Sequence, residues 1–181
     1  MQMRASIQIK SALKALNDVV LPALDPNNKP AQEQIRLVIG MLTLLSQQLP
    51  LQFRFDCDEL ARLIAMANEL QDGAKAGAGT TAALATLAER TKAAASTLER
   101  ARATPEDVTQ RVRELRKASG ELVTQAYREG DAGCRDRVGK TVLAASREQL
   151  LRDRALLLMQ GWEPDPKAIP SISSLLGEAQ S

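Results

Sequence analysis

The chain has 181 residues, with 24 basic and 22 acidic side chains and no histidine. This near balance of charge gives no general field for attracting nucleic acid or an anionic membrane, and the few aromatic residues form no base-stacking platform in a basic groove. The lack of histidine removes the commonest general base and the commonest transition-metal ligand. We therefore expect no metal, no cofactor, and neither nucleic acid nor a membrane as a partner.

The cysteines and the first residues bear on the compartment. Cys57 and Cys134 are too far apart in sequence to form a CxxC unit, and two cysteines make no disulfide framework. The chain starts without the uninterrupted apolar run of a secretory signal, and no stretch approaches the roughly 20 apolar residues of a membrane helix. These features predict a protein of the reducing cytoplasm.

The first helix is predicted over residues 1–24, where apolar side chains recur every three or four positions. Pro22 should bend or end this helix, because proline lacks the amide donor and its ring clashes with the preceding turn. Residues 25–30 have the composition of a turn, and Pro30 suits the first turn of the next helix.

The second helix, residues 31–48, is predicted to be the central core helix. Its apolar residues cover more than one helix face, which is typical of a buried helix. They are Ile35, Leu37, Val38, Ile39, Met41, Leu42, Leu44 and Leu45. Gly40 is expected to permit close approach of a neighbouring helix, at a propensity cost of about 1 kcal/mol relative to alanine.

A short aromatic segment, residues 52–55, is predicted to be extended. Side chains alternate in such a segment, so Phe53 and Phe55 would point one way and Arg54 the other. The favoured interpretation is that the two rings close one end of a bundle. The alternative is that they line the mouth of a pocket, with Arg54 available to an anion.

The next helix and a linker complete the first half of the chain. Asp56, followed three residues later by Glu59, matches a capping box at a helix start. Residues 73–80 contain three glycines and are predicted to be a flexible Gly/Ala linker. This linker divides an aliphatic half, residues 1–72, from an alanine- and arginine-rich half, residues 81–162.

The second half begins with a predicted helical hairpin. Apolar and small residues follow a heptad-like spacing on both sides of Thr104 and Pro105, which together form a strong helix start. Two helices joined by so short a turn should pack antiparallel. A hairpin buried only by itself leaves apolar edges exposed, so its seam is predicted to bind a partner or a second copy. The predicted interface residues are Leu84, Leu87, Leu98, Val112, Leu115 and Leu122.

A last helix is predicted over residues 135–160, with Gly161 as its stop. The tail, residues 163–181, contains three prolines and is predicted to be extended. Trp162 and Ile169 are expected to pin it to the protein, with one helical turn over residues 173–176.

Three motif-like patterns are better explained by structure than by chemistry. GCRDRVGKT, residues 133–141, has its first glycine one residue too early for a phosphate-binding loop and follows no strand, so a helix–helix turn is predicted. The acids around Cys57 are explained by helix capping and the helix dipole rather than by a metal ion. Neither cysteine has a histidine base, so both are predicted to be packed thiols.

Basic and acidic residues interleave along the second half, which is typical of solvated, ion-paired helix faces. The alternative is a patch for an anionic partner, densest at Arg113, Arg116 and Lys117.

The first third of the chain carries a family resemblance. A helix ending VVLPAL at residues 19–24 is followed by a short turn and the apolar helix AQEQIRLVIGMLTLLSQQL at residues 31–49. This order resembles a family of small bacterial helical proteins of unknown function, encoded beside acyl-CoA dehydrogenases and aminoglycoside-phosphotransferase-like proteins. The resemblance implies a bacterial accessory protein near acyl-CoA metabolism, and it carries over no catalytic residue.

Together these patterns predict a single all-α domain, an antiparallel bundle of five or six helices with a hairpin in the second half. No residue set supplies a nucleophile, a base and its orienter together. The predicted function is therefore a non-enzymatic protein-interaction or accessory module, able to form a homodimer. The alternative is a carrier or sensor of an apolar acyl-type ligand inside the bundle, bound by Met41 and Met66 with Phe53, Arg54 and Phe55.

Overall fold

A computed structural model of the chain describes residues 4–177. Within that range the chain is almost entirely helical and has no strand, which confirms the all-α prediction. The helix count exceeds the predicted five or six. The described chain separates into two compact units. No helix in the described part of the chain is long and apolar enough to cross a membrane.

Unit 1 comprises residues 4–52 and 156–169. Its first helix, α1 (Ala5–Ala15), continues through a π-helical turn, Leu16–Val20, into the short α2 (Leu21–Ala23). The wide turn directly precedes Pro22, whose ring must clear the carbonyl one turn earlier. As predicted, the helix ends just after this proline; predicted helical residues 1–3 lie outside the described range.

The second long helix of unit 1 is α3 (Lys29–Gln48), which packs against α1. Asn28 Oδ1 accepts a hydrogen bond from Ala31 N at 3.2 Å, and Pro30 lies in the first turn. Both features complete the helix start that the sequence predicts at Pro30. The 3₁₀ turn Leu158–Gln160 also contacts α3.

Unit 2 comprises residues 53–155 and 170–177 and holds the hydrophobic core. Its helices are α4 (Gln52–Gly73), α5 (Ala78–Glu99), α6 (Pro105–Glu129), α7 (Ala132–Leu157) and α8 (Ile172–Leu175). Helices α5 and α6 form the predicted hairpin. Thr104 Oγ1 accepts from Asp107 N and Asp107 Oδ2 accepts from Thr104 N, both at 3.1 Å. This reciprocal pair is a capping box, so the predicted start of α6 is confirmed.

Two predicted boundaries in unit 2 are wrong. Residues 52–55 are helical rather than extended, so Asp56 and Glu59 lie inside α4 and form no capping box. Nothing between Gln52 and Asp56 breaks a helix, and α4 therefore begins before its expected cap. Helix α7 begins at Ala132, ahead of the expected start, because Asp131 Oδ1 accepts a hydrogen bond from Cys134 N at 2.7 Å.

The tail contains a 3₁₀ turn, Pro166–Ala168, followed by α8. Ile169 is buried as expected, whereas Trp162 is 81% exposed and pins nothing. The predicted single helical turn is observed one residue earlier than expected, and residues 178–181 of the predicted tail lie outside the described range.

The predicted linker is reduced to residues 74–77, between α4 and α5. Ala74, its first residue, is buried, and so is Thr80 in the first turn of α5. The carboxylate of Glu129, at the end of α6, accepts hydrogen bonds from Gly79 N, Thr80 N and Thr80 Oγ1 at 3.0, 2.8 and 2.9 Å. An acid from one helix thus satisfies the free amides at the start of another.

This cross-helix cap predicts a pH-dependent contribution to stability. The hydrogen bond from the Thr80 backbone is the largest cause that lowers the pKa of Glu129. Because the folded-state pKa lies below the unfolded one, the stabilisation is complete above the unfolded pKa and is lost as pH falls through the folded pKa. We expect Glu129→Gln to lower Tm at pH 7, and the difference from wild type to vanish well below pH ~4.

Thermal unfolding between neutral and acidic pH measures this effect. Glu89→Gln, at an exposed acid of α5, is the matched control and should leave Tm almost unchanged. A wild-type Tm for Glu129→Gln at neutral pH would show that the cap does not stabilise the fold.

Candidate functional site

Unit 1 exposes an apolar face on α3. Leu37, Val38, Met41 and Leu45 are 59%, 43%, 71% and 45% exposed. Their spacing places them on one side of the helix, and we name these four residues the α3 apolar face. The only buried residue of α3 is Gln32. The prediction that this segment is a buried core helix is therefore wrong, because side chains assigned to the core are exposed.

The α3 apolar face carries no charge. All thirteen residues from Leu37 to Leu49 are uncharged. A Cβ built at Gly40 would meet no atom within 4 Å, so no helix makes the close approach expected there. Uncharged apolar surface of this kind on a soluble protein commonly marks an interaction site.

Unit 1 has little core of its own. Among its described residues, Ile169 is the only buried apolar side chain. Outside the α3 apolar face it also exposes Ile7, Val19, Val20, Leu49, Leu157 and Trp162. Because unit 1 buries so little apolar surface, this burial compensates for only a small part of the conformational entropy that is lost when the unit becomes ordered. A partner that covered this exposed apolar surface would therefore stabilise unit 1.

The predicted interface of the α5–α6 hairpin lies inside unit 2. Leu87, Leu115 and Leu122 are fully buried and Val112 is 8% exposed. Leu84 and Leu98 are partly buried and pack against the same core. The prediction of an interaction surface here is corrected by the packing, because helices α4 and α7 contribute Leu60, Leu70 and Val138 to the core that contains this seam.

The predicted ligand residues belong to two different units and differ in exposure. Phe55 is buried but Phe53 is 42% exposed, because side chains two apart on a helix point in nearly opposite directions. Arg54 Nη2 donates a hydrogen bond to the Leu176 carbonyl at 3.0 Å. Met41 belongs to the α3 apolar face, and only Met66 of the predicted set lines a cavity.

That cavity is a groove of about 650 Å³ in unit 2, between α4, α6 and α7. Its volume falls in the range typical of small-molecule sites. Its lining is predominantly apolar. The apolar residues are Leu63, Ala65, Met66, Val123, Val142, Ala144, Ala145 and Leu150. We name it the α4–α6–α7 groove.

A cluster of ion pairs lies at one part of this groove. Asp58 Oδ2 accepts hydrogen bonds from Arg62 Nε and Arg152 Nε, both at 2.8 Å. Arg62 Nη1 donates to Gln149 Oε1 at 3.0 Å. Arg62 and Gln149 line the groove, so the cluster fixes the polar part of its wall.

A second pair joins α4 to α6, with Arg116 Nη2 2.6 Å from Glu59 Oε1. Glu59 is 8% exposed, and burial raises the pKa of its carboxyl while the positive charges of Arg116 and Arg62 oppose that rise. A buried carboxylate is costly without a partner, so Arg116 is held against it rather than being free for a ligand.

Two polar atoms at the groove have no hydrogen-bond partner among the described residues: Arg62 Nη2 and Ser119 Oγ. Both residues line the groove, and Ser119 is only 5% exposed. Sequence reasoning missed Ser119 and its neighbour Gly120, which also lines the groove. The available signal was a glycine within a helix otherwise rich in good helix formers.

The cysteines and acids offer no reactive centre among the described residues. Burial, and then the charge of Asp56, raise the pKa of the Cys57 thiol, which disfavours a nucleophilic thiolate. Cys134 is buried. No group of three or more potential metal ligands forms within residues 4–177. The motif-like segment 133–141 lies within α7, so it forms no phosphate-binding loop.

Comparisons with protein-family models, with curated proteins and with solved structures find no match to this chain.

Proposed function

We propose that this chain is a non-enzymatic protein-interaction module that binds through the α3 apolar face, and that its first partner is a second copy of itself. The observation that carries the proposal is the exposure of four large apolar side chains, without a charge among them, on one side of α3. Monomeric proteins seldom leave such a surface uncovered.

The absence of charge favours a second copy as the partner. A two-fold interface places the same patch on both chains, so a charge close to the two-fold axis would meet its own copy. An uncharged face avoids that repulsion, and it gives a strongly acidic or basic partner nothing to pair with. In this proposal α3 packs against α3 of the second chain.

The non-enzymatic part of the proposal rests on the lack of a suitable base and nucleophile. The chain has no histidine, and the raised pKa of Cys57 keeps that thiol protonated. An accessory role near acyl-CoA metabolism in a bacterium belongs to the same proposal and rests on the amino-terminal resemblance, while a cytoplasmic location rests on the cysteine usage.

Sedimentation velocity of the purified full chain tests the proposal. We expect a species of twice the chain mass to dominate at protein concentrations of about 10 µM and to dissociate on dilution, as mass action requires. A single species of one chain mass up to about 100 µM would contradict self-association through this face.

A further inference from the structure

We propose that the α4–α6–α7 groove is a binding site for an uncharged amphiphile, an aliphatic chain that ends in a neutral carbonyl head such as an amide or ester. This inference goes beyond the proposed interaction function, because the groove belongs to unit 2 and shares no residue with the α3 apolar face. Three independent features of the groove carry it.

The first feature is the open space beside Gly120. Gly120 lies in the middle of α6, where glycine costs about 1 kcal/mol relative to alanine. It lines the groove, and a Cβ built on it would meet no atom within 4 Å. No close packing of protein atoms requires a glycine here, so the effect of Gly120 is to leave room in the groove. The surrounding apolar side chains suit a hydrocarbon chain.

The second feature is a pair of unused polar atoms. Ser119 and Arg62 line the groove, and two of their side-chain atoms, Ser119 Oγ and Arg62 Nη2, are buried without a hydrogen-bond partner among the described residues. Both can donate, and a buried donor left unpaired costs free energy that a ligand acceptor would recover. A carbonyl oxygen is such an acceptor.

The third feature is the local charge, which selects a neutral head. Arg62 is already paired with Asp58, and Arg116 with Glu59. The groove lining adds three further acids. They are Glu69, Glu148 and Asp153. The lining therefore holds three carboxylates and two guanidinium groups, and the ion pairs beside it add Asp58, Glu59 and Arg152, which leaves the negative charges in excess. A ligand carboxylate would enter a region of net negative charge.

Isothermal titration of the full chain with N-methyldecanamide and with decanoate tests both parts of the inference. The two probes share one hydrocarbon chain and differ in the charge of the head. We expect saturable binding of the amide and at least about 10-fold weaker binding of decanoate.

Three variants locate the site. Gly120→Leu should weaken amide binding by at least about 30-fold, because the new side chain fills space the hydrocarbon would occupy. Thr124→Leu adds the same side chain at an exposed position one turn later on α6, outside the groove lining, and should bind as wild type. Ser119→Ala should weaken amide binding roughly 5-fold without lowering the Tm of the ligand-free protein, because its hydroxyl has no partner to lose.

The outcomes separate this inference from self-association. A Leu37→Asp/Met41→Asp variant should bind the amide with wild-type affinity even if it no longer self-associates. The inference is overturned if wild type shows no saturable amide binding, if decanoate binds as tightly as the amide, or if Thr124→Leu loses as much affinity as Gly120→Leu. If Ser119→Ala binds the amide as tightly as wild type, the assignment of a carbonyl head group to Ser119 is wrong.

Discussion

Placing aspartate at both Leu37 and Met41 should convert the self-associated protein into single chains. These are the two most exposed members of the α3 apolar face. In a two-fold interface each substitution acts twice, removing apolar burial of about 1.5–3 kcal/mol per side chain and placing carboxylates in an apolar contact that offers them no positive partner. We expect the dissociation constant, measured by sedimentation equilibrium, to rise at least about 100-fold.

The matched control is Thr43→Asp. Thr43 is also exposed on α3, but helical periodicity places it on the side away from the α3 apolar face. It therefore introduces an aspartate into the same helix outside the proposed contact, with one added charge against the two of the test variant. Self-association that falls equally in both variants, or in neither, would show that the α3 apolar face does not make the contact.

Truncating the hairpin seam should destabilise the fold rather than weaken an interface. Leu115 and Leu122 are fully buried between the helices of unit 2. Leu115→Ala and Leu122→Ala should each lower the free energy of unfolding by about 2–5 kcal/mol, because each leaves a cavity in addition to losing apolar burial. Urea unfolding followed by circular dichroism measures this loss.

Leu143→Ala is the matched control for this pair. Leu143 lies on α7 and is 58% exposed, so its truncation should change the unfolding free energy by less than about 0.5 kcal/mol. If Leu115→Ala instead left unfolding unchanged and reduced self-association, the seam would be the interface that the sequence pattern predicts.

The sequence was a good guide to helices whose signals are local. Thr104 and Pro105 begin α6 as predicted, because a capping box and a proline at the first turn depend only on neighbouring residues. Pro22 and Pro30 likewise mark the end of one helix and the start of the next. The alternation of the seam residues correctly predicted two helices that pack on each other.

Burial was predicted less well, because a hydrophobic pattern shows which side chains need covering and not what covers them. Leu37 and Met41 fit the pattern of a core helix and yet are exposed. The buried seam was predicted to be a surface, because the sequence could not show that α4 and α7 also pack around Leu115. Both errors have the same cause: the sequence pattern does not show which helices pack against each other.

The groove could not be predicted from local sequence. Its polar part combines Arg62, Ser119 and Gln149, which come from three helices and are separated by tens of residues in the chain. Met66, which was selected from the sequence, lines the groove, whereas Phe53 and Arg54 were selected on the assumption of an extended segment that is in fact helical. Gly120 was a local signal, because glycine has a low helix propensity and its presence within a helix indicates a packing or functional reason.

The most direct test of the central claim is amide hydrogen exchange of the full chain at low and high protein concentration. Association slows local opening of the helix that it covers. We predict that protection rises with concentration in peptides covering residues 37–45 and stays unchanged in α5 and α6. Exchange in residues 37–45 that is independent of concentration, or protection gained only in α5 and α6, would contradict the assignment of the α3 apolar face as the contact surface.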